Sequence, residues 1–158
     1  MVEIVRKRVC ADVDGDFVVF MIGMRVNRPL KVWRWGPVAA AMPRMLQELA
    51  AQPELGLLGS RILPGFPTIT LIQYWRSFDA LEAYAKNRSA QHLPAWKAFN
   101  TAVGSGGDVG IWHETFLVRA GAYETVYNNM PPFGLGLAGR LVDAVGRRDG
   151  ARQRLSAG

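Results

Sequence analysis

Ten consecutive residues, Phe17 to Val26 (FVVFMIGMRV), place apolar side chains at both odd and even positions until Arg25. A run this short, β-branched and aromatic predicts a strand rather than a helix. A strand apolar on both faces must be covered on both. Thr68 to Trp75 (TITLIQYW) repeats the pattern. Helices packed on one side would satisfy one face only, so the chain needs a second cover.

The remaining elements follow from periodicity and breakers. Glu3 to Val13 reads as a short strand ending at the turn signal Asp14-Gly15-Asp16. Val38, Ala41, Met42, Met45, Leu46 and Leu49 recur at helical steps between Pro37 and Pro53, with Pro43 expected to kink the helix. Leu55 to Leu63 and Pro67 to Trp75 form a hairpin around Pro64-Gly65-Phe66. Ser77 is an N-cap candidate for a helix carrying Phe78, Leu81, Tyr84 and Ala85. A further helix is expected over residues 91–103, with His92, Trp96 and Phe99 on one face. Asp108 to Val118 is the last clear strand, and Leu135 to Val145 suggests a Gly-dotted helix.

The order β-α-β-β-α-β is the ferredoxin-like plan of an α+β protein. A homodimer closing sheet against sheet, a dimeric α+β barrel, is the economical cover for the second face. The apolar space between sheet and helices is then the place for a small-molecule substrate. Residues 1–135 are expected to form this single domain, and 136–158 a basic C-terminal helix or tail.

Charge and composition narrow the class. The chain has 158 residues, 49% hydrophobic and 20% charged, which excludes wholesale disorder. Net charge is +6, and half of it lies in the last 19 residues, where five arginines face Asp143 and Asp149. No nucleic-acid-binding signature accompanies it, so no nucleic-acid partner is expected. The longest apolar run is far short of a membrane span, so no membrane partner is expected. The opening residues lack a secretory pattern, and a cytoplasmic location is the expectation. One cysteine and two histidines cannot make an all-His/Cys zinc site.

Each histidine is a candidate for chemistry. In the strand Val109 to Leu117, alternation sets His113 with Val109, Ile111, Thr115 and Leu117, while Glu114 points the other way. His92 lies at a helix start, one turn before Trp96. Either histidine can equally be structural: His113 bonded within a core, His92 exposed at its helix start. Cys10 is read as a buried filler, and Met21, Met24, Met42 and Met45 as core.

The residues Tyr74 to Ala85 (YWRSFDALEAYA), His92 and Trp112-His113-Glu114 resemble the dimeric α+β-barrel superfamily, which includes antibiotic-biosynthesis-type monooxygenases and several haem enzymes. As a whole, the chain resembles a bacterial and fungal family labelled monooxygenase-like. Locally it is similar to the haem-containing aldoxime dehydratases. They carry a Trp-x-Ser segment, a helix His that is the axial iron ligand, and a strand His that is a distal catalytic residue. The 21-residue separation of His92 and His113 agrees with that family, and Tyr127 to Gly134 resembles its closing segment. The dehydratases hold two such halves in one chain, and their catalytic Arg and Ser lie outside the matching stretch.

The resemblance implies haem b, with His92 on the iron, Trp96, Phe99 and Trp112 as porphyrin walls, arginines on the propionates, and His113 catalytic. The chemistry is then aldoxime dehydration or oxygen insertion. The alternative is a cofactor-free monooxygenase of the antibiotic-biosynthesis type. In it His113 is the base and Tyr74 or Asn128 orients a phenolic or quinol-like substrate. A non-catalytic small-ligand binder is the third reading. Gly121 to Gly134 is expected to dock over the pocket mouth or the dimer seam, bringing Tyr127 and Asn128 to the substrate, with its own subunit's helices the plainer resting place.

Overall fold

The computed structural model describes residues 3–87, 101, 104 and 106–155. Strands β1 (Val5–Asp12) and β2 (Phe17–Val26) are followed by helix α1 (Val32–Ala51). The hairpin β3 (Leu57–Leu63) and β4 (Thr68–Trp75) leads into α2 (Phe78–Lys86). Then come β5 (Val109–Val118), β6 (Tyr127–Met130), β7 (Arg140–Asp143) and a short α3 (Ala151–Leu155).

The main sheet has the order β3-β4-β2-β5, with every neighbour antiparallel. That is the ferredoxin-like α+β arrangement, with β2 at the centre because its two apolar faces suit it to full burial. α1 and α2 lie on one face. Val18, Trp75, Leu49, Leu81 and Tyr84 form one core there, and Met24, Val26, Val38 and Val109 another.

α1 starts five residues before Pro37 and takes both Pro37 and Pro43 into one helix of 20 residues. Both prolines lie on its exposed side. The carbonyls they leave unpaired can therefore turn to water, which makes two prolines tolerable. The α2 cap is as expected, Ser77 Oγ accepting from the Ala80 N–H at 3.1 Å.

The second face of the sheet is partly covered by the chain itself. β1 is flanked by β6 and β7 in a separate three-stranded antiparallel sheet. Ala11, Val13 and Leu135 from that layer bury Phe17, with Val19, Tyr74 and Val118 packed around them. The segment from Gly121 to Gly134 thus contains β6, and the expected helix at 135–145 is instead a 3-10 turn, Gly134–Leu137, followed by β7. Their partner is a strand more than 110 residues earlier, a pairing no local pattern announces. The 3-10 turn sits close on β3 because Gly59 has no side chain: a Cβ there would meet the Leu137 carbonyl at 3.1 Å. Tyr123 locks the connection, its ring edge-on to Phe17 and its Oη accepting from the Val13 N–H at 2.7 Å.

No helix among the described residues is long and apolar enough to cross a membrane.

Candidate functional site

Register divides the candidate residues between the two faces. On the helix side, Phe20 is level with Gln73 of β4 and Thr115 of β5, and Ile22 with Leu71 and His113. On the other side, Val19 is level with Tyr74 and Phe116, and Gly23 with Thr70 and Trp112. Side chains alternate along each strand, so Tyr74 and Trp112 share one face and His113 takes the other.

The helix-side group is built around an exposed imidazole on an apolar wall. The His113 ring lies 5.8 Å from that of Phe20, tilted by 41°. Gln73, only 4% exposed, accepts a hydrogen bond from Trp75 Nε1 at 2.9 Å. That contact fixes the amide and directs its N–H₂ end away from Trp75. Trp75 is fully buried and packs 5.5 Å from Tyr84. Burial, then the nearby Glu48 carboxylate, pushes the Tyr84 phenol far up, so it stays protonated. The arrangement offers a proton acceptor (His113), hydroxyl and amide groups (Thr115, Gln73) and an aromatic surface (Phe20).

The opposite face holds a different cluster. A side chain grown at Gly134 would meet Tyr127 Oη at 3.4 Å and Tyr74 Oη at 3.6 Å, so both phenols converge there. Tyr127 Oη accepts from the Gly136 N–H at 3.3 Å. The Arg61 guanidinium lies 3.3 Å above the Phe133 ring. Burial raises the Tyr74 pKa, Tyr127 raises it further, and Arg61 opposes both. Trp112 rests its indole in the notch left by Gly23, where a Cβ would come within 2.5 Å of Nε1.

The structure therefore brings Tyr74 and Tyr127 together but separates both from His113. Asn128 is exposed and level with Arg8, facing away from the main sheet. His92, Trp96 and Phe99 lie outside the described residues. Phe20, Gln73 and Thr115 were missed as site residues. The signal for Gln73 was available: it is the lone amide in a strand of apolar residues and threonines.

A family model described as Monooxygenase af470-like matches residues 17–135. The monooxygenase af470 of Aspergillus fumigatus is 31% identical over 147 residues, covering 88% of this chain and 51% of that protein. The chain thus spans about half the length of this curated relative. Among solved structures, SnoaB from Streptomyces nogalater, described as a cofactor-independent oxygenase, is 19% identical with a TM-score of 0.48, over 66% of this chain and 94% of SnoaB. A dimeric ferredoxin-like protein from Jannaschia sp. CCS1 is 22% identical with a TM-score of 0.47, over 63% of this chain and 97% of that one.

These findings correct the haem b expectation. The matched family and the curated relative are both described as monooxygenases, so the dehydratase likeness and the haem b it implied are withdrawn. Geometry agrees: Trp112, expected as a porphyrin wall beside His113, lies on the other face of the sheet.

Proposed function

The chain belongs to the monooxygenase af470-like family, and from that membership we propose a cofactor-independent monooxygenase acting on a phenolic or quinol-like substrate. The substrate lies on the helix side of the main sheet, and His113 is the base. The observation that carries this reading is the exposed imidazole set beside Phe20, with Thr115 and Gln73 on the same face.

The chemistry needs little from the protein. His113 accepts the substrate's acidic proton, giving an anion delocalised over the ring. Thr115 and Gln73 present hydroxyl and amide groups to its oxygens, and Phe20 supports the flat ring. The electron-rich anion reduces dioxygen and combines with it as a hydroperoxide at the activated carbon. Loss of water, with the imidazolium returning its proton, leaves a carbonyl. A CH₂ and O₂ thus become C=O and H₂O, with all four electrons from the substrate. Positioned acid–base catalysis of this kind contributes roughly 10²–10⁴ in rate.

A second copy is the proposed cover for the rest of the other face. Phe116 there is 49% exposed, and Met21 and Ile72 on the same face are only partly buried.

Oxygen uptake by metal-free, haem-free protein with an anthrone or a polyphenol tests the reading. Uptake should match substrate consumed one for one and fall at least about 100-fold in His113→Ala. Uptake that requires added metal or haem, or that survives His113→Ala unchanged, overturns it.

A further inference from the structure

The entry to α1 carries a surface that the proposed oxygenation does not use. Leu30 is 90% exposed, Trp33 69% and Val32 54%, three large apolar side chains within four residues. The stretch 25–35 (RVNRPLKVWRW) contains Arg25, Arg28, Lys31 and Arg34 and no acidic residue. Among the described residues a single carboxylate reaches them: Asp108, buried, pairs with Arg28 at 3.3 Å, Lys31 at 2.9 Å and Arg34 at 4.0 Å. One negative charge shared among three cations leaves this end of the molecule positive. Trp35, by contrast, is turned inward, its Nε1 donating to the Pro29 carbonyl at 3.0 Å.

We propose that this end docks on an anionic lipid surface, with Leu30 and Trp33 entering the boundary between headgroups and acyl chains. Exposed aliphatic and indole groups ringed by cations fit that boundary. The indole sits at headgroup depth, the aliphatic groups leave water, and the cations meet lipid phosphates. Asp108 holds Lys31, and with it the turn, so the apolar groups project without reordering. Docking here is peripheral and needs no spanning segment. A single-stranded nucleic acid would also meet cations and an indole, but Leu30 and Val32 offer bases no stacking surface. The lipid is therefore the partner that uses every exposed group.

Co-sedimentation of the 158-residue chain with vesicles of phosphatidylcholine, with and without phosphatidylglycerol, tests this. Binding should appear only with phosphatidylglycerol and weaken about tenfold or more when salt is raised from low to physiological strength. Leu30→Ser with Trp33→Ser should weaken it at least about tenfold, and circular dichroism should be unchanged because both positions are exposed. Arg34→Gln should weaken it without altering the fold. Equal binding to both vesicle types, no binding to either, or full binding by the double variant overturns the proposal. So does tight binding of a single-stranded oligonucleotide that depends on Trp33 and not on Leu30.

Discussion

Tyr74 and His113 flank the same central strand from opposite sides and project from opposite faces of it. Tyr74 is level with Val19 and His113 with Ile22, an odd number of residues apart. A substrate held at His113 cannot be oriented by Tyr74 of the same subunit. Tyr74→Phe should therefore leave turnover within about twofold of the parent, while His113→Ala lowers it roughly 10²-fold or more. Steady-state oxygen uptake by the two variants separates them. Equal losses would place the reacting ring on the other face.

Gly23→Ala should destabilise the fold by about 1–3 kcal/mol. The new methyl group would lie 2.5 Å from Trp112 Nε1 and 2.7 Å from the Ile69 carbonyl oxygen. The indole can swing aside, but the backbone carbonyl of a central strand cannot. Urea unfolding monitored by tryptophan fluorescence gives the difference.

Tyr123→Phe should cost about 1–3 kcal/mol, the penalty for stranding a buried donor. The ring packing on Phe17 survives, but the Val13 N–H loses the oxygen that accepts from it at 2.7 Å. Chemical denaturation of the variant against the parent measures the cost.

Asp108 ties stability to acid. The Lys31 hydrogen bond lowers its pKa, burial opposes, and the charges of Lys31, Arg28 and Arg34 lower it further. The folded carboxyl ionises more readily than the unfolded one. Its contribution is complete above the ordinary carboxylate range, about pH 4, and is lost as pH falls through the folded value. Asp108→Asn should lower the urea midpoint at neutral pH and flatten its fall on acidification. An identical acid limb in the variant would mean that other carboxylates set it.

Much of the sheet was legible from sequence because its strands are long and apolar. β2 runs from Phe17 to Val26 as expected, and the Ser77 cap is in place. The small sheet was not legible, because β6 and β7 are four residues each and pair only with β1. The candidate site was half legible. Alternation along β5 sets His113 and Trp112 on opposite faces, and register through β2 puts Tyr74 on the Trp112 side. Phe20 and Gln73 join His113 only through cross-strand register, which one strand's sequence does not contain. Arg61 is equally invisible, since its partner Phe133 lies 72 residues on.

The small sheet also imposes an order in time. β1 leaves the ribosome before its partners, residues 127–130 and 140–143, so it waits through the synthesis of the whole main sheet. An unpaired strand with Val9 and Ala11 on one side invites association with other nascent chains. Lys7 and Arg8 sit on that strand, exposed, and in the finished protein they pair with Asp143 and Asp149. Until those aspartates arrive the two charges stand alone, where they act as gatekeepers against premature pairing.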